Sequence, residues 1–187
     1  QSLARRRVVR PLRSAAPAEG ATRCTVSLPL QRAQLPPVPS TLLIPLAARA
    51  HGGRYFPWLD CHDAVAPALL AQMDADVSGT LDDLHTVLHV LWRTRAIQEA
   101  GRAFFATHPQ ALGVNLGCGL THYFQWLDGG ANQWLDADLP EVMALRRPLL
   151  PPPCRRMRHA DLDLSHPGWW QRLGLPMQRS ATPVLLV

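Results

Sequence analysis

The sequence predicts an α/β protein, a mostly parallel sheet with flanking helices, preceded by a helical region. Three observations carry that expectation. Between residues 41 and 108 apolar positions recur at threes and fours, and beyond Pro109 short apolar runs alternate with helix-length segments, the pattern of βαβ units. A glycine pair, Gly117 and Gly119, then stands between one such run and the next helix, with Asp138 nineteen residues further on, closing the second run.

Taken in order, residues 1–39 read as a disordered extension rich in arginine and proline. They close in "LPPVPS", where each proline fixes its own φ and restricts the residue before it. Seven arginines against Glu19 put +6 on residues 1–32 and leave −1 of the net +5 for the rest of the chain. Such an arm could serve nucleic acid or targeting. The first aromatic residue is Tyr55, however, so no stacking side chain is interleaved, and a solvated arm is the favoured reading. The chain opens on Gln1 with no initiator methionine and is read as a fragment or processed product.

Residues 40–110 are expected to form a helical cap. One helix is predicted over 63–73 and a longer one over 78–107, in which Leu81, Leu84, Leu88, Leu91 and Trp92 repeat at helical spacing. Ser78 is the expected N-cap, with Asp82 and Asp83 near the positive helix end; His108 and Pro109 stop the helix. Residues 111–187 are expected to form the α/β domain, with strands at 112–116, 132–137, 155–160 and 183–187. Helices are expected between them, at 121–127, 140–149 and 167–173. Pro140 suits a first helical turn, where its missing N–H costs nothing.

Composition narrows the chemistry. With 187 residues, 47% hydrophobic and 18% charged, the chain has enough apolar content for one domain with a real core. All nineteen of its basic residues are arginine, which excludes mechanisms that need a lysine amine, such as a Schiff base or a P-loop contact. No run is long and apolar enough for a membrane span, so no membrane partner is expected. Cysteines at 24, 61, 118 and 154 show no CxxC spacing, and no secretory signal precedes them. Reduced thiols in a cytoplasmic setting are therefore expected, not disulfides or zinc. His85 and His89 are spaced for one helix face, yet no third ligand is near, so they are read as helix packing and no metal is expected.

Gly117 and Gly119 in "NLGCGL" sit where a strand would turn into a helix, and glycine there allows a sharp turn and a close ligand approach. Asp138 at the end of the next strand can accept hydrogen bonds from both hydroxyls of a ribose. A dinucleotide fingerprint would want a third glycine at position 122, where this chain has His122, and that disfavours NAD. An adenosyl cofactor without phosphates needs no such helix-end cradle. It needs instead a ribose-binding acid and a second acid at the end of the third strand, where Asp161 stands.

With "VNLGCGL", "WLDADLPEVMALRRPLLP" and "ADLDLSHPGWWQRLG", and "PSTLLIPLAARA" upstream, residues 39–187 resemble the leucine carboxyl methyltransferase family and its bacterial polyketide O-methyltransferase relatives. The resemblance implies a Rossmann-like class I methyltransferase fold with an N-terminal helical cap. It implies S-adenosyl-L-methionine as cofactor and methylation of a carboxylate or hydroxyl, on a small molecule or a carboxyl terminus. On the matching motifs it implies Gly117, Cys118 and Gly119 along the cofactor's methionine portion, Asp138 and Leu139 at its ribose, and Asp161 and Leu162 at its adenine. Arg93 in "LWRTRAI" would pair with the cofactor carboxylate, with Arg95 as the alternative.

Two departures stand out. The family's glycine turn usually continues through an aspartate and an arginine, whereas here Leu120 is followed by Thr121, His122 and Tyr123. The chain also stops at the expected fourth strand, so the resemblance implies that the C-terminal half of the sheet is missing. The free edge of that strand would then invite pairing with another chain. An ionised carboxylate acceptor needs no base, and His122 and His159 are read as structural. The competing readings are a non-catalytic or vestigial interaction module that keeps half a sheet, and an NAD-dependent enzyme.

Overall fold

The computed structural model describes residues 23–24, 40–176 and 182–187. Apart from Arg23 and Cys24, the expected disordered extension at 1–39 lies outside the described residues.

Three helices precede the sheet: α1 (Ser40–His51), α2 (Ala66–Met73) and α3 (Leu84–Thr107). Asp63 organises the first two. Its Oδ1 accepts the N–H groups of Val65 and Ala66 at 2.9 and 3.0 Å, which starts α2, and its Oδ2 accepts Arg49 Nε from α1 at 2.9 Å. Asp74, in the left-handed region at φ 52°, ends α2.

The expectation for α3 needs two corrections. Residues Ser78–Leu81 form a separate single turn, and the N-cap is Asp83, whose carboxylate accepts Thr86 N–H at 3.2 Å; the Ser78 hydroxyl instead donates to Asp76 at 2.7 Å. The buried stripe is Val87, Val90, Leu91, Thr94, Gln98, Gly101 and Phe105, while Leu84 and Trp92 are exposed. Packing set this rotation. At Gly101 a β-carbon would lie 2.8 Å from Leu127, and Gln98 donates to Cys61 O at 3.0 Å, so a small and a polar residue face inward where the leucine periodicity pointed elsewhere.

The sheet is built from β1 (Leu112–Leu116), β2 (Gln133–Asp138), β3 (Met157–Asp161) and β4 (Val184–Leu186), all parallel, in the order β3-β2-β1-β4. Short helices α4 (Phe124–Leu127), α5 (Pro140–Leu149) and α6 (Trp169–Arg172) make the crossovers. β1 and β2 are buried almost throughout, as parallel strands covered on both faces must be. One face packs Phe105, Tyr123, Phe124, Leu127, Trp134 and Met157, and the other Leu112, Val114, Leu135, Ala137, Leu162 and Leu173. The chain runs outward from β1 to β2 and β3, then returns to the other side of β1 for β4. A topological switch point therefore opens beside the carboxyl end of β1, which is where open α/β sheets bind ligands. These features make the architecture the Rossmann-like α/β fold expected from the sequence. β4 pairs with β1 alone among the described residues.

One cysteine expectation is overturned. Cys24 and Cys154, 130 residues apart, form a disulfide, while Cys61 and Cys118 are free and buried. Local spacing carries no signal for a bond between a distant N-terminal residue and the loop before β3. The pairing is reinforced by Asp128, which accepts Cys24 N–H at 2.7 Å and pairs with Arg156 at 2.6 Å. Burial pulls the Asp128 carboxyl up, and hydrogen bonds from Arg156 and from the N–H groups of Cys24 and Gly130 outweigh it, leaving the group below its ordinary value. No helix among the described residues is long and apolar enough to cross a membrane.

Candidate functional site

Parallel register stacks three cross-strand rows on one face of the sheet. Gly113, Trp134 and Met157 form the first, Asn115, Asp136 and His159 the second, and Asp138 with Asp161 the third, at the carboxyl edge where Gly117 begins its turn. The first row is apolar, and Gly113 is required in it: a β-carbon there would sit 2.3 Å from the Trp134 ring.

The second row is polar and buried. Asp136 accepts Asn115 Nδ2 at 3.0 Å and Trp134 Nε1 at 2.9 Å, and its other oxygen takes Arg146 of α5 in an ion pair with no solvent exposure on either side chain. The same guanidinium donates to Gly119 O at 2.7 Å and to Thr121 O at 2.8 Å, while Arg49 donates to Leu120 O at 3.2 Å. Two buried arginines thus hold three consecutive carbonyls of the turn. His122 lies against this cluster. Burial, with help from Arg146 and against the attraction of Asp136 and Asp63, pushes its imidazole down to about 4. Burial and Arg146 push His159 down as well.

The third row carries the candidate site. Gly117 and Gly119 adopt φ +64° and +49°. Gly117 is exposed with nothing within 4 Å of where a β-carbon would be, whereas at Gly119 a β-carbon would meet Leu42 of α1 at 3.1 Å. The β1 and β2 corners touch: Gly117 N–H donates to Ala137 O at 2.9 Å, and Gly119 N–H to Asp138 Oδ2 at 2.7 Å. Asp138 Oδ1 accepts Leu139 N–H at 2.8 Å. Each carboxylate oxygen keeps a second lone pair, and Asp138 is only half-buried, so it can still accept two ligand hydroxyls. An adenosyl group fits this edge: a free left-handed glycine, an adjacent half-exposed carboxylate, and a second carboxylate one strand over.

The other expected site residues are placed as follows. Asp161 pairs with Asp138 in the ladder and forms an exposed ion pair with Arg147. Leu139 is exposed at the start of α5, while the Leu162 side chain is in the core and its N–H bonds Asp138 O at 2.7 Å. The Cys118 side chain points inward to Met143 Sδ at 3.7 Å, and burial pushes its thiol up to about 12, so only its backbone faces the edge and the sulfur is no nucleophile. Arg93 is exposed on α3 beside His89 and Trp92. Arg95 pairs with Glu99. Among the described residues, the guanidiniums bonded to the turn are those of Arg49 and Arg146.

Over 115 residues, 61% of this chain, the sequence is 36% identical to the tetracenomycin polyketide synthesis O-methyltransferase TcmP of Streptomyces glaucescens. The similarity supports a relationship to methyltransferases. The match takes in 42% of TcmP's length. No protein-family model matches the chain.

Arg49, Asn115, Asp136 and Arg146 were missed in the sequence. A signal for two of them existed. Asp136 sits between Leu135 and Ala137 in the buried middle of β2, and Arg146 sits on the α5 face that also carries Met143 and Leu149, so each is a charge where only a paired charge is tolerated.

Proposed function

We propose that this chain forms the cofactor-binding part of an S-adenosylmethionine-dependent O-methyltransferase akin to the leucine carboxyl methyltransferases and their polyketide-modifying relatives. The observation that carries the reading is the contact between the two strand corners, Gly119 N–H on the Asp138 carboxylate at 2.7 Å, beside the switch point of the sheet.

In this reading Asp138 accepts the ribose hydroxyls, the exposed backbone at Gly117 lies along the methionine portion, and Asp161 stands on the adenine side. The cofactor would supply a sulfonium methyl group for in-line displacement by an acceptor oxygen, a reaction helped chiefly by alignment of the two. The chain's own contribution is to bind and orient. A carboxylate acceptor would arrive already ionised and need no base. His122, buried and depressed to about 4, is a weak proton acceptor, and Cys118 is buried and protonated, so neither is placed to serve as one. Similarity to TcmP supports an oxygen acceptor.

The test is calorimetric titration of the folded chain with S-adenosylmethionine and, separately, NAD. Heat with the first alone supports the reading. A folded sample that gives heat with neither at millimolar ligand leaves the non-catalytic module as the better description, and heat with NAD alone would replace the cofactor.

A further inference from the structure

We infer that Arg146 is the positioning residue of this site: anchored on Asp136, it fixes the backbone of the 117–121 turn in the conformation that accepts the methionine portion of the cofactor. The inference rests on the adenosyl reading proposed above and adds to it a residue that contacts no ligand.

The N–H groups of the turn are held by Ala137 O, Asp138 and one internal bond from Thr121 to Cys118 O, whereas its carbonyls at 119, 120 and 121 are held by arginine side chains. Its two glycines occupy left-handed conformations, φ +64° and +49°, which glycine enters without steric cost and which no side chain of its own holds in place. The aspartate and arginine that usually follow the glycine turn in the resembling family are replaced by Thr121 and Tyr123 with His122 between them. In their place Arg146 donates through one nitrogen to both Gly119 O and Thr121 O and through another to Asp136. A planar guanidinium can serve three acceptors in a fixed fork, and a lysine ammonium cannot reproduce that geometry.

The cluster is also poorly explained as a device for stability. A buried ion pair gives little net stabilisation compared with apolar packing. Three nitrogens around it, Arg146 Nε, His122 Nδ1 and His159 Nε2, are buried with no hydrogen-bond partner. Unsatisfied buried groups ask for a role beyond packing. Asp136 lies one row beneath Asp138 on the same strand face, so Arg146 reaches the turn from directly under the edge where the ligand would lie.

The experiment compares Arg146→Met with the unaltered chain by calorimetry, using two probes, S-adenosylhomocysteine and adenosine, after circular dichroism and thermal unfolding confirm a folded sample. Adenosine lacks the methionine portion. The expected result is a loss of about tenfold or more in affinity for S-adenosylhomocysteine, with adenosine affinity within about threefold of the unaltered chain. Arg146→Lys should fall between. If Arg146→Met does not fold because Asp136 is left uncompensated, Asp136→Asn with Arg146→Met removes both charges and is measured instead. Equal loss for both probes, or no loss for either, overturns the inference and leaves Arg146 a structural residue. If the unaltered chain binds neither probe, the adenosyl reading itself fails, and this inference with it.

Discussion

Acidification should weaken the fold through His122. The imidazole is 5% exposed and its pKa falls from 6.5 to about 4, mainly because burial disfavours the charged form. An unfolded chain takes up a proton near pH 6.5, whereas the folded chain resists until about pH 4. The neutral buried histidine therefore contributes its full stability above pH 6.5, loses it as pH falls toward 4, and contributes none below. A depression of this size corresponds to about 3 kcal/mol, lost at up to about 1.4 kcal/mol per pH unit. His159, also depressed, adds in the same direction. Asp128, held below its ordinary value of 3.8, contributes only beneath this window. Urea unfolding followed by tryptophan fluorescence at pH 7.5, 6, 5 and 4.5 reads the loss directly, Trp134 being fully buried. His122→Asn should flatten the slope. Equal stability at pH 7.5 and 4.5, or an unchanged slope in the variant, would show that His122 does not set the acid sensitivity of the fold.

Other perturbations follow from the same geometry. Gly113→Ala drives a β-carbon to 2.3 Å from the Trp134 ring and 3.0 Å from Phe105, and should cost about 1–3 kcal/mol in thermal unfolding; an unaltered midpoint would mean that the first row is looser than described. Gly117→Ala meets no atom and should cost only about 1 kcal/mol for the left-handed backbone, yet S-adenosylhomocysteine affinity should drop well beyond that; equal affinity would remove the turn from the site. Cys24→Ser should lower stability by about 2–5 kcal/mol, and dithiothreitol should bring the unaltered chain down to the same midpoint; insensitivity to both would deny the disulfide a stabilising role.

Where one local rule decided an element, the sequence was enough. β1 and α5 fall at the residues the apolar runs and Pro140 indicated, and the edge carrying Gly117, Asp138 and Asp161 was visible as glycine and acid spacing. The start and rotation of α3 were not legible, because Asp83 outcompeted Ser78 as a cap and because Gly101 and Gln98 face the core while Leu84 and Trp92 do not. The disulfide joins residues 130 apart, beyond any local pattern. The clamp beneath the turn depends on three chain segments meeting, α1 with Arg49, β2 with Asp136 and α5 with Arg146, so only the unusual positions of Asp136 and Arg146 hinted at it.

In the proposed function an adenosyl ligand lies across the β1 and β2 corners. Amide chemical-shift mapping on the isotope-labelled chain, titrated with S-adenosylhomocysteine, tests it most directly. The largest shifts are expected at the N–H groups of Gly117, Gly119, Leu139 and Asp161. Shifts confined to α3 around Trp92 and Arg93, or no shifts at saturating ligand, would contradict it.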